Sequence, residues 1–135
     1  MLTINDKNIT FFDICSKKAK QFGFQIEYEK NHYLTCCGDE PFNILNKQYI
    51  EKVDWLIHEA FCLKSEDFLF KPYEKNHSTV ADACEIAEKY DVKNLVLYHT
   101  VDNNIEKRTE LYISEGEKFF KGNLFVPHDL EIISL

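Results

Sequence analysis

Residues Asn76–Thr100, NHSTVADACEIAEKYDVKNLVLYHT, decide how the rest of the chain is read. Val80, Ala83, Cys84, Ala87 and Tyr90 recur at helical spacing, so one face of a helix can be buried. Ser78 or Thr79 is a ready N-cap, and Thr79 with Asp82 fits the start signal in which a carboxylate three residues on answers the cap. Asp91 and Asn94 bracket a short connection. Leu95–Tyr98 is then an apolar run long enough for one buried strand. His77 precedes the helix and His99 follows the strand, at opposite ends of this α/β unit in sequence. In open α/β layers sites are built at the carboxyl ends of strands, which marks His99 as a candidate.

Working outward from that unit, Ile9–Ile14 reads as a strand. Phe22–Tyr28 alternates Phe22, Phe24, Ile26 and Tyr28 with polar or small residues, the period of a half-buried strand. Glu29–His32 suits a hairpin turn, and Tyr33–Cys37 a further strand that Gly38-Asp39-Glu40-Pro41 stops. Phe42–Lys52 is expected to be a short helix with Ile44, Leu45, Tyr49 and Ile50 facing inward. Val53–Ile57 is expected to be a buried strand running into His58-Glu59, and residues 60–73 to be irregular. Glu106–Phe120 reads as a helix, with short strands at Leu124–Val126 and Glu131–Ser134.

The chain has 135 residues, 44% of them hydrophobic, which suits one globular domain with a modest core. A formal net charge of −7 disfavours long-range attraction to nucleic acid unless a local basic patch overrides it. The five cysteines are odd in number, two are adjacent, and no CxxC spacing occurs. That usage fits reduced thiols in the cytoplasm better than a disulfide framework. No run is apolar enough to span a membrane, and no signal peptide is expected.

Chemistry-bearing residues gather where strands end. Asp39 follows YLTCC, His58-Glu59 follows VDWLI, His99 ends LVLYH, and His77 opens the intervening helix. Carboxylate oxygen and imidazole nitrogen are ligands for zinc, and the same groups move protons near neutral pH. Cys36-Cys37 reads as an apolar pair at a strand end rather than as ligands. Lys17, Lys18, Lys20, Lys64, Lys71 and Lys75 read as a solvated face.

Four motifs occur in a fixed order: CGDE (Cys37–Glu40), IHEAF (Ile57–Phe61), HST (His77–Thr79) and LVLYHT (Leu95–Thr100). In that order the chain resembles the C-terminal half of the metallo-β-lactamase superfamily, in its ribonuclease Z-like phosphodiesterase branch. The resemblance implies an α/β fold: one half, a mixed sheet with flanking helices, of an αββα sandwich, with residues 1–135 forming a single partial domain. It implies that Asp39 bridges two zinc ions and that His99 completes the second zinc site. Glu59 and His77 match the pair that manages the proton on the leaving oxygen, and His58 is assigned a structural role. The chemistry implied is hydrolysis by a metal-held hydroxide, with charge on the phosphoryl oxygens stabilised by the metals.

The chain departs from that family in three places. The signature H-x-H-x-D-H is absent; the histidines are His32, His58, His77, His99 and His128. Asp39 and His99 are two ligands where a zinc site needs three or four, so tight binding of two zinc ions is not expected of this chain alone. Val101-Asp102-Asn103-Asn104 replaces the serine-arginine-tyrosine tail that follows the last histidine in ribonuclease Z, and HEAF replaces HEAT. Two function classes remain open. One is a zinc-dependent phosphodiesterase, inactive until an N-terminal half or a second subunit supplies the missing ligands. The other is a non-catalytic split or truncated half acting as an interaction module. One feature separates them: a functional half is expected to expose a large apolar sheet face for a partner half to cover, or to hide that face in a homo-oligomer. The scaffold also hosts hydrolysis of amides and thioesters; Glu59 with His77 favours phosphodiesters.

Overall fold

A computed structural model describes residues 1–135. Its strands are β1 (Leu2–Ile4), β2 (Lys7–Asp13), β3 (Phe22–Glu29), β4 (His32–Cys36), β5 (Trp55–Glu59), β6 (Asn94–Tyr98) and β7 (Asn123–Phe125). They lie side by side in sequence order in one seven-stranded sheet. The pairings from β1 to β4 are antiparallel, and those from β4 to β7 are parallel. Connection length explains the change. Two-residue turns at Asn5-Asp6 and Lys30-Asn31 allow only antiparallel return, whereas the parallel half is joined by helical crossovers. Asn5, Asp6 and Asn31 all take positive φ, the conformation tight hairpins require.

The crossover from β5 to β6 carries α1 (Asp67–Phe70) and α2 (Val80–Lys89); the one from β6 to β7 carries α3 (Arg108–Gly116). The Thr79 side chain accepts the Asp82 N–H while the Asp82 carboxylate accepts the Thr79 N–H, a complete capping box. Of the helical positions singled out in the sequence, Val80, Ala83, Cys84 and Ala87 are buried along α2, and Tyr90 at its C-cap. They pack on Leu56, Leu95 and Leu97 of the sheet. Gly116 lets α3 approach closely: a Cβ there would lie 2.5 Å from a Leu124 methyl and 2.9 Å from the Cys84 Sγ.

The opposite face of the sheet carries no helix. Cross-strand partners share a face, and the register gives a continuous apolar row: Phe11 opposite Phe24, Phe24 opposite Cys36, Cys36 beside Ile57, Ile57 beside Val96, and Val96 beside Phe125. Trp55 joins this face, its ring 5.3 Å from that of Phe125. Phe11 and Phe22 are each 53% exposed, the expected apolar surface of an unpartnered layer. No helix is long and apolar enough to cross a membrane.

Four expectations from the sequence need correction. The 42–52 segment is a 3₁₀ turn over Ile44–Tyr49, not an α-helix. Its period of three residues turns Asn46 and Tyr49 inward and leaves Ile44 and Leu45 exposed. The buried Asn46 amide donates to Asp13 O at 2.9 Å, and the Tyr49 ring stacks on Phe12 at 4.2 Å. Residues 60–73 contain α1 and a 3₁₀ turn at Lys64–Glu66 rather than irregular chain alone. The last helix is shorter than Glu106–Phe120. Glu131–Ser134 forms no strand; the Glu131 carboxylate instead accepts the His128 N–H at 2.8 Å in a local turn.

Candidate functional site

Glu59 is the last residue of β5, and its side chain lies on the helix-free face of the sheet, beside Tyr98 of β6. It is fully buried. One carboxylate oxygen accepts the backbone N–H of Ser78, while the other, Oε2, has no hydrogen-bond partner. His77 and Ser78 are held beside it by main-chain bonds. The His77 N–H donates to Pro72 O at 2.9 Å, and Ser78 O accepts from Phe61 N at 2.9 Å. Thr79 bridges Cys62, and the Val80 N–H donates to Cys62 O at 2.9 Å. The start of α2 is thus sewn to the segment leaving β5, which brings His77 to the carboxyl ends of the strands.

His99 follows β6 in the left-handed region, with φ of +54°, uncommon for a residue bearing a Cβ. The chain on either side of it is fixed: Ala60 N donates to Tyr98 O at 3.0 Å and Val101 N to Phe61 O at 2.8 Å. The turn projects His99 to solvent beside His77, with ring centroids 5.0 Å apart. The His77 ring stacks on Phe61 at 4.8 Å. Its unpartnered Nδ1 lies 3.5 Å from Glu59 Oε2, too far for a hydrogen bond. One ligand atom each from Glu59, His77 and His99 lies within 4.8 Å of the others. The two histidines that stand at opposite ends of the unit in sequence are neighbours in space because α2 runs back along the sheet.

Burial disfavours charge on both Glu59 and His77. Burial pushes the Glu59 carboxyl up to about 7, against the hydrogen bonds from Ser78, with Asp39 and Asp82 adding to the rise. Burial likewise lowers His77, and the neighbouring His99 and Lys18 charges lower it further against the pull of Asp39. Near pH 7 Glu59 is poised between its two forms and His77 is neutral, so their contact is not an ion pair.

Asp39 is half-buried on the loop after β4, behind Gly38 with its φ of +78°. Its charge is felt by Glu59, His77 and Tyr98, but its oxygens are not in the compact three-residue group. His58 points the other way, into the helix side, and its Nδ1 is 2.7 Å from Glu59 O. Cys37 is buried and its thiol pushed up to about 12 by desolvation, which keeps it protonated. His32 is exposed and lies away from this group, 3.2 Å from Asp54, whereas His128 is exposed and lines a small cavity together with Tyr98, His99 and Arg108.

Glu40 is a residue that sequence reasoning passed over. Only 4% exposed, it accepts the Ser16 hydroxyl at 2.6 Å and the Asn76 amide at 2.8 Å. It ties the loop of Asp39 to that of His77. Its setting in GDEP suggests a turn, and nothing in the local pattern signals burial.

The chain is 31% identical over 134 residues to ribonuclease Z of Thermococcus sibiricus, covering 99% of this chain and 38% of that protein. Over 86 residues it is 43% identical to ribonuclease Z of Thermococcus onnurineus, covering 64% of this chain and 25% of that one. Among solved structures, the short form of human tRNase Z superposes with a TM-score of 0.71 at 21% identity, over 99% of this chain and 44% of that one. This is a partial ribonuclease Z-like chain of the metallo-β-lactamase fold. The metallo-β-lactamase fold protein YhfI from Bacillus subtilis matches at a TM-score of 0.69 and 21% identity, over 93% of this chain and 48% of that one. No protein-family model matches the chain. The mixed sheet with flanking helices is the architecture these neighbours share. The ribonuclease Z-like chain spans well under half the length of the relatives it matches.

Proposed function

We propose that this chain is the partial domain, residues 1–135, of a metal-dependent hydrolase that cleaves phosphodiesters, and that it works joined to the remainder of the fold. The observation carrying the reading is the buried Glu59 carboxylate facing His77 at 3.5 Å beside His99, within a chain similar to ribonuclease Z along 99% of its length. The donors fit zinc in kind: imidazole and carboxylate, with buried polar atoms left unpartnered by protein groups. Asp39 and His99 are the residues assigned to hold zinc in the assembled site, and ligands from outside this chain complete it. Bound zinc supplies Lewis acidity toward phosphoryl oxygens and an activated water.

The chain's own contribution is proton management. Glu59, poised near neutrality, holds or releases a proton against His77. His77 then passes that proton to the leaving oxygen, a relay suited to a carboxyl pushed up to about 7. Phe61 fixes the imidazole plane, and Glu40 fixes the loop from which it projects.

The test is reconstitution. The chain is combined with the N-terminal portion of the Thermococcus sibiricus relative, supplied with zinc, and assayed on a chromogenic phosphodiester. Activity is expected only in the mixture, and Glu59→Gln or His77→Ala should lower kcat by roughly 100-fold or more. Undiminished turnover by both variants would refute the assignment. The alternative reading, a non-catalytic half that docks through its sheet, is favoured by the apolar row on the helix-free face. It predicts association with the same portion but no turnover.

A further inference from the structure

The geometry points to a phosphate-binding site at Arg108, in the cavity where α3 begins, between the end of β6 and the chain leaving β7. It goes beyond the hydrolase reading, because it uses neither a metal nor the proton carried by Glu59 and His77. The first observation is a buried charge without a counter-ion. Arg108 is 7% exposed, and none of the six ion pairs in the chain includes it. A buried guanidinium stays charged and is ordinarily paired. Its protein partners are both neutral: Nη1 donates to Thr100 Oγ1 at 3.0 Å and Nη2 to Pro127 O at 2.9 Å. Each Nη carries a second N–H, so the fork keeps a free donor on both. Nε is buried with no partner at all.

The second observation is the place it occupies. Arg108, Thr100, His128 and Asp129 line a cavity of about 140 Å³. That is room for several waters of about 30 Å³ each, and hence for one tetrahedral oxyanion. Arg108 is also the first residue of α3, whose cap position, Lys107, gives no side-chain acceptor to the first turn. The positive end of the helix dipole therefore stands at the same cavity, where an anion is favoured. Glu110, the acidic residue of that turn, is exposed to solvent. Thr100 Oγ1 accepts from Arg108 and has its own hydrogen left to donate. His128 is held at the rim by its main-chain N–H, which donates to Glu131 at 2.8 Å. Asp129 lies beyond ion-pair distance of Arg108, so it opposes an anion without cancelling the guanidinium. The arginine fork alone would suit a carboxylate or a phosphate. A hydroxyl and an imidazole on other walls of the cavity favour the tetrahedral group, whose oxygens point in more than one plane. The ligand is a phosphate group, either free or ending a nucleotide.

The experiment titrates the whole chain, kept in EDTA at pH 7.0, with inorganic phosphate while the imidazole resonances are followed by NMR. Saturable binding of one phosphate per chain is expected, with His128 shifting and His32, at the start of β4, unmoved. Arg108→Lys, which keeps the charge but not the fork, should weaken binding by more than roughly tenfold. His128→Ala should weaken it about fivefold, and Asp129→Asn should tighten it about threefold. His128 and Asp129 are exposed, so these two variants keep the fold, checked by an unchanged melting temperature, and they decide the matter if Arg108→Lys unfolds. Formate, the planar control, should bind roughly tenfold more weakly than phosphate. Adenosine 3′- and 5′-monophosphate separate the sources: tighter binding than phosphate identifies a nucleotide end, and weaker binding identifies the free ion. No saturation, binding unaltered in Arg108→Lys and His128→Ala, binding weakened in Asp129→Asn, formate bound as tightly as phosphate, or shifts at His77 without His128 would each overturn the site. A silent reconstitution leaves this titration unaffected, and failure to bind phosphate leaves the hydrolase reading standing.

Discussion

Replacing Glu59 with glutamine should become progressively more favourable to stability as pH rises from acid to alkaline. The carboxyl stands at 4.5 in the unfolded chain and is pushed up to about 7 in the fold by burial. Between these values the unfolded chain ionises first, so stability falls as pH rises from 4.5 through 7 and is level above that. The difference corresponds to about 3 kcal/mol. The glutamine side chain retains an oxygen for the Ser78 N–H and carries no charge to desolvate. At pH 8 the variant should therefore gain about 3 kcal/mol on the parent relative to their difference at pH 4.5. His77, held low by burial, makes the protein less stable as pH falls below 6.5, and because it lies 3.5 Å from Glu59 both proteins are compared in a His77→Phe background, which removes this contribution. Urea unfolding in EDTA buffer across this range, followed by the fluorescence of Trp55, the one tryptophan, measures the difference directly. Parallel stability curves for the two proteins would mean that Glu59 is not a desolvated carboxyl, and the proton-handling assignment would go with it.

Thr79→Ala removes the hydroxyl that caps α2 and answers Asp82, and should cost about 1 kcal/mol in urea unfolding, with Thr79→Ser restoring it. Gly23→Ala should cost about 1–3 kcal/mol in thermal unfolding, because the new Cβ would sit 2.6 Å from Cys36 O and from the Phe12 ring, which is itself pinned by Tyr49.

What sequence could show was the part governed by local periodicity. The α2–β6 unit has a capping signal, a buried stripe at helical spacing and an apolar run, and all three point the same way. β3 was legible for the same reason. β1 was not, because Leu2–Ile4 is short and exposed throughout, and its cue is the positive-φ pair Asn5-Asp6 rather than any pattern of burial. The Ile44–Tyr49 turn misled because its burial is decided by distant partners, Asp13 O and Phe12, which no local period encodes. At the site, residue types at strand ends marked Glu59, His77 and His99. Their convergence depends on long-range main-chain bonds between 60–62 and 78–80. The complete burial of Glu59 and Glu40 runs against the preference of glutamate for solvent, so it had no signature in composition.

The sheet ties the site to whatever covers its open face. Ile57 and Glu59 alternate on one side of β5, and Val96 and Tyr98 do the same on β6, so the apolar row runs without a break into the candidate site. Trp55 and Val96 are already buried by neighbouring side chains, while Phe11 and Phe22 at the other end are half exposed. A layer laid over this face, whether the rest of the polypeptide or a second copy, therefore ends at the edge of Glu59 and His99. Removing water there raises the cost of the Glu59 charge further. Docking should in consequence hold the Glu59 carboxyl further toward its protonated form, the form in which it can pass a proton to His77.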